Sequence, residues 1–154
     1  MNQSTVPPTP FPSSSISLAG AIIKHPDLGL LLQLRDVYAP NHPHHWGVFG
    51  GHMETGESPE VAVWRELEEE LQLTPSMVSE WHLGQDFIHV SGVRVYIYYM
   101  STTVTPDDLV LGEGEAMHYA NAVDLHPPQP YQGYPFTPLT AQALQTYLAT
   151  DISR

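Results

Sequence analysis

The chain contains no cysteine. Disulfide bracing, thiolate metal sites and thiol nucleophiles are therefore excluded. Positive charge is nearly as scarce. Lys24, Arg35, Arg65, Arg94 and Arg154 are the whole supply, set against 17 acidic residues for a formal charge of −12. Grooves for nucleic-acid polymers need clustered Lys and Arg, and docking on an anionic membrane needs the same. Neither partner is expected. No apolar run approaches the ~18 residues that span a bilayer. The first residues also lack the basic and apolar regions of a secretory signal, so a cytoplasmic location is the default expectation.

What remains is one acidic domain. At 154 residues the chain is long enough for a single real core. Residues 1–15 are rich in Pro, Ser and Thr and read as a flexible tail, leaving 16–154 as the domain. Ile16 to Lys24 and Gly29 to Arg35 read as strands around a turn at His25-Pro26-Asp27. Tyr38 to His45 is a Pro- and His-rich loop. Its His42, His44 and His45 fit no common zinc spacing, and a loop lining a substrate pocket, with Tyr38 or a His offered for stacking, is the expectation. Trp81 to Val90 and Val93 to Val104 form a strand pair turning at Ser91-Gly92. In the second of these, Val95, Ile97 and Tyr99 alternate with Arg94, Tyr96, Tyr98 and Met100, as in a sheet buried on both sides. Thr137-Pro138 opens a C-terminal helix with Leu139, Ala143, Leu144, Tyr147 and Leu148 inward.

The most informative stretch lies between Gly51 and Leu73. Ser58 is a suitable N-cap, Pro59 suits the first helical position, and a helix is expected from Pro59 to Leu71. Its apolar stripe is Val61, Trp64, Leu67 and Leu71. Glu66, Glu69 and Glu70 fall at i, i+3 and i+4 and share another face, directed away from the core. Like charges so placed repel one another. A hard divalent cation such as Mg²⁺ or Mn²⁺ would remove that penalty, because it prefers carboxylate oxygens. A phosphorylated small molecule would otherwise be repelled by so acidic a chain, so acidity and metal support each other. Gly50-Gly51 just upstream lets the backbone approach a ligand closely, which makes Gly51 a candidate substrate contact.

This stretch resembles the Nudix box, G-x5-E-x7-R-E-U-x-E-E-x-G-U with U a bulky aliphatic residue. Here it reads Gly51-HMETG-Glu57-SPEVAVW-Arg65-Glu66-Leu67-Glu68-Glu69-Glu70-Leu71-Gln72-Leu73. Every defined position matches except the late glycine, which is Gln72. That glycine normally ends the helix in a left-handed conformation. The segment from Trp46 to Glu54 also resembles the family's entry into the box.

The resemblance implies an α/β fold, an α/β/α sandwich with a mixed β-sheet between helices. It also implies a pyrophosphohydrolase that attacks the diphosphate linkage of a nucleoside diphosphate derivative (a nucleoside triphosphate, a nucleotide sugar or similar) with water. Carried over residue by residue, it makes Glu66 and Glu70 the first metal ligands and Glu69 the next. The Gly50 carbonyl completes the coordination, and Glu113, with Glu115 in reserve, supplies a further acid from outside the box. Glu66 is also a candidate general base, although family members differ over which acid serves. Glu57 supports the site and Arg65 orients its acids. Arg35, at the end of the second strand, is a candidate for a substrate phosphate. The alternative is a non-catalytic Nudix-like domain that binds or senses a nucleotide. A homodimer is compatible with the sequence, which does not set the oligomeric state.

Overall fold

The computed structural model describes residues 16–112 and 115–150, with only the backbone described at Glu115. The expected tail at 1–15 and the candidate ligand Glu113 lie outside the described residues. Seven strands form one mixed sheet: β1 (Ser17–His25), β2 (Gly29–Arg35), β3 (Trp46–Gly47), β4 (Phe49–His52), β5 (Val78–Ile88), β6 (Arg94–Thr102) and β7 (Glu115–Ala120). Two helices, α1 (Pro59–Leu71) and α2 (Pro138–Thr150), cover its two faces. Among the described residues, no helix is long and apolar enough to cross a membrane.

Strand β1 organises the sheet. One edge runs parallel to β6, from Ser17 opposite Arg94 to Lys24 opposite Ser101. The other edge is divided. Leu18 to Ala21 pair antiparallel with His52 to Phe49 of β4, and the last residues pair with the start of β2. Further along, β2 pairs with β3 and, on its other side, with β7. Strands β2 and β4 thus part company beside the middle of β1.

Alternation along the strands builds two cores. Ala19, Ala21 and Ile23 of β1 pack with Ala62, Val63, Leu67 and Leu71 of α1, and Tyr98 and Met100 of β6 join them. Ile22 faces the other way, with Val95 and Ile97 of β6 and Ala143, Leu144, Tyr147 and Leu148 of α2. The sheet is buried on both sides, as the alternation in β6 leads one to expect.

Helix α1 begins where its signals place it. Ser58 is extended, and its hydroxyl accepts the Val61 N–H at 3.2 Å, with Pro59 in the first turn. The expected stripe needs one correction. Val61 is 56% exposed, while Ala62 and Val63 are fully buried. At 100° per residue Val61 stands about 160° around the helix from Val63. The covered arc instead extends toward Ala62, because the acidic face is not turned wholly outward but rests against β4.

Gln72 ends the helix at the expected place. It adopts the left-handed conformation at φ 53° and ψ 34°, and its N–H bonds the Glu68 carbonyl while Leu73 N–H reaches Leu67 O. A residue with a Cβ pays about 1–2 kcal/mol to sit there. Glycine would remove that strain but loses more chain entropy on folding. Gln72→Gly is therefore expected to stabilise the protein by about 0.5–1 kcal/mol, read as a rise of roughly 1–4 °C in Tm.

Candidate active site

Strand β4 brings the box residues together. Gly50 N–H donates to Glu70 Oε1 at 2.9 Å. A Cβ on Gly51 would lie 2.6 Å from the Glu66 carboxyl carbon, so that carboxylate occupies the space a side chain would take. Gly50 has φ 146°, and a Cβ there would strike the backbone of β1 at Ala19 and Gly20. Each glycine is needed for a different reason. Gly50 permits the strand to lie on β1, and Gly51 admits Glu66.

Arg65 ties the acids to the loop. Its Nε and Nη2 form a bidentate pair with Glu57 at 2.6 and 2.9 Å. Its Nη1 reaches Glu66 at 2.9 Å and Glu69 at 3.3 Å, and Nη2 also donates to His52 O at 3.0 Å. A planar fork suits this role better than an ammonium would. Glu57 also accepts the Glu54 N–H at 2.8 Å, which closes the loop before α1.

These contacts shift the ionisation of the pair. The Arg65 hydrogen bond, followed by that of the Glu54 N–H, lowers the Glu57 carboxyl from its ordinary 4.5 to about 2. Arg65 is pushed further upward, chiefly by Glu57. The folded Glu57 thus titrates below the unfolded one. Its ionised form favours folding above about pH 4.5, and the contribution is lost as pH falls through about 2. Glu57→Gln is expected to flatten the dependence of Tm on pH between 4.5 and 2. A wild-type slope retained in that window would contradict the pairing.

The donor chemistry fits a hard divalent cation, since Glu66, Glu69, Glu70 and the Gly50 carbonyl offer only oxygen. As the side chains stand, no three acids or histidines among the described residues form a ready metal cluster. Arg65 instead holds Glu57, Glu66 and Glu69 around its guanidinium.

On the α2 side of the sheet lies an open cleft of about 590 Å³. Gly50 and Gly51 line it too, so the same two residues touch the α1 acids and the cleft. The lining contains Arg35 and no Asp or Glu, in a chain with 17 acids. Arg35 Nε donates to Asn41 O at 2.9 Å, which binds the 36–45 loop to the cleft rim.

The candidates from sequence divide accordingly. Glu57, Arg65, Glu66, Glu69 and Glu70 gather beside Gly50 and Gly51, with Glu69 the most exposed of those paired to Arg65 except Glu54. Arg35, Gly51 and His42 line the cleft. Tyr38 does not: it is 88% exposed and absent from the lining. Asp36 explains this, for its carboxylate accepts the Tyr38 N–H at 2.9 Å in a tight turn that carries the ring outward. Gln33 and Thr140 were missed. Gln33 was legible as the one polar residue amid the leucines of β2, whereas nothing local marks Thr140.

Comparison with known proteins assigns the fold to a family. The family model for the NUDIX domain matches residues 17–139. No curated protein matches the chain. Among solved structures, MutT, studied from Aliivibrio salmonicida and Vibrio cholerae, is 26% identical, with 88% of this chain and 98% of that one covered at a TM-score of 0.64. The E. coli ORF135 protein is 25% identical over 91% and 93% at 0.62. A C. elegans Ap4A hydrolase in a binary complex shares the fold at 23% identity, 86% and 96% coverage and a TM-score of 0.60.

Proposed function

We propose a reaction for this chain from one premise: it belongs to the NUDIX domain family and is a hydrolase. The reaction is hydrolysis of the diphosphate linkage in a nucleoside diphosphate derivative, by attack of water on phosphorus. One observation carries it. The Glu66 and Glu70 carboxylates meet the Gly50-Gly51 backbone, and that backbone also lines an acid-free cleft bearing Arg35. An anionic substrate can enter there without facing a carboxylate, and its diphosphate can approach the acids beside Gly50 and Gly51, which carry no side chain.

Glu66, Glu70 and then Glu69 would hold a divalent cation, Mg²⁺ or Mn²⁺, with the Gly50 carbonyl. Such an ion supplies charge neutralisation of the diphosphate and lowers the pKa of the attacking water. Glu66 would take the water's proton on a carboxylate oxygen. Arg65 keeps Glu66 oriented while its other edge is held by Glu57. Arg35 contributes positive charge for a second phosphate or the nucleotide's own phosphate.

The test is a substrate panel. The purified protein is incubated with nucleoside di- and triphosphates, nucleotide sugars, ADP-ribose and dinucleoside polyphosphates, with and without Mg²⁺ or Mn²⁺. Metal-dependent cleavage of at least one compound is expected, into a nucleoside phosphate and the remaining part as phosphate, pyrophosphate, sugar phosphate or a second nucleotide. Turnover that survives chelator would overturn the metal requirement. A second reading has an observation in its favour: Arg65 already neutralises part of the acidic cluster. A binding or sensing domain would take up a panel compound in a metal-dependent way and turn over none.

A further inference from the structure

We infer that Gln33 selects the base of the bound nucleotide, its side-chain oxygen accepting a hydrogen bond from an N–H on that base. The inference rests on the proposal that the cleft takes a nucleotide. Gln33 lies in the middle of β2, is only 3% exposed and lines the cleft. Its Nε2 donates to Val48 O at 3.0 Å. Reversing the amide would set two acceptors against each other, so this bond assigns the oxygen. That oxygen, Oε1, is buried and has no hydrogen-bond partner.

A buried acceptor without a donor weakens the folded state, and Leu or Met would fill the same space without that cost. Among the described residues two other buried side-chain atoms share the condition, Trp64 Nε1 and Gln85 Oε1, but neither residue lines the cleft. Of the three, Gln33 Oε1 alone belongs to a residue of the cleft lining, where a bound ligand and a small side-chain adjustment could supply the donor. The surroundings leave room for a flat group. Gly47 faces Gln33 across the β2–β3 ladder. A Cβ on Gly47 would touch nothing closer than Gln33 Cγ at 3.7 Å and Thr140 Oγ1 at 3.8 Å. Thr140 is itself fixed, its hydroxyl accepting the Val48 N–H at 3.2 Å.

The spacing also suits a nucleotide. Gln33 and Arg35 both line the cleft, two residues apart on one face of β2 and so about 7 Å apart along the strand. A phosphate near Arg35 and a base near Gln33 fall within one nucleotide. The amide is neutral and the lining holds no acid, so the group selected is a neutral N–H donor and not a cation.

The experiment measures binding by calorimetry and does not depend on turnover. The full chain is titrated with AMP, GMP, CMP, UMP and base-free ribose 5-phosphate. At least one base should improve affinity about ten-fold or more over ribose 5-phosphate. For that nucleotide, Gln33→Met should remove most of the gain and leave ribose 5-phosphate binding unchanged. On the ligand side, the same nucleotide with each N–H of its base replaced in turn, by hydrogen for an amino group or by N-methyl for a ring N–H, should include one analogue that loses a similar factor on the wild type. That analogue should lose little more on Gln33→Met. A base preference that persists in Gln33→Met overturns the inference, as does a wild type that tolerates every such replacement or prefers no base. If Gln33→Met fails to fold by circular dichroism, the analogue series on the wild type decides alone. Base-selective binding without hydrolysis leaves this inference standing and removes the proposed reaction. Hydrolysis without base selection does the reverse.

Discussion

Glu70→Gln is expected to lower kcat by more than about 100-fold while leaving Tm nearly unchanged. Loss of a group that merely supports a metal ligand costs 10–100-fold, and a ligand itself should cost more. The substitution is informative because glutamine keeps the size of the side chain. Its oxygen can still accept the Gly50 N–H that Glu70 Oε1 accepts at 2.9 Å, so β4 stays docked on α1. The negative charge is removed and one acceptor oxygen becomes an NH2 donor, which cannot ligate a cation. Glu68→Gln, two residues away and about 160° around the same helix on its exposed side, serves as the control and should behave as wild type. Activity within about five-fold of wild type in Glu70→Gln would remove this carboxylate from the chemistry.

Gly51→Ala should be nearly as damaging to turnover, through a different route. The new methyl would stand 2.6 Å from the Glu66 carboxyl carbon and 2.6 Å from its Oε1. The three nearest atoms all belong to the Glu66 carboxylate, whose end can swing aside, so the fold should survive with a modest loss of stability. Glu66 cannot then keep its place against the strand or its 2.9 Å bond to Arg65. A fall of about 10–100-fold in kcat follows, because a displacement near 1 Å at a reacting group costs that order. Gly50→Ala provides the contrast. There φ is 146°, a value that L residues rarely adopt, and the clash is with β1 backbone. It should cost about 2–3 kcal/mol or more of stability, visible in denaturant midpoints before any assay. If Gly51→Ala unfolds the protein and Gly50→Ala does not, the roles given to these two residues are reversed.

The sites differ in how far sequence alone reveals them. Helix α1 was readable to the residue, because Ser58, Pro59 and the apolar spacing act within one or two turns. The two faces of β6 were readable because alternation is itself a local signal. Val61 was not, since its exposure depends on β4 covering the acidic arc of α1. The outward direction of Tyr38 was not readable for a similar reason: an aromatic in a loop gains a direction only from the turn at Asp36.

By itself, the sequence determined the family, the helix carrying the acids, and the glycine pair that lets them approach a strand. All are encoded in 23 consecutive residues from Gly51 to Leu73 and the few before them, where spacing along one helix already sets geometry. Tertiary structure alone decided that the acid-free cleft shares its Gly50-Gly51 border with those acids, and that Gln33 is buried beside it with an oxygen unmet. That wall joins β2, β3 and α2, and its Val48–Thr140 bond links residues 92 apart in the chain. No local pattern specifies such a meeting, because it arises only when the sheet and both helices have packed.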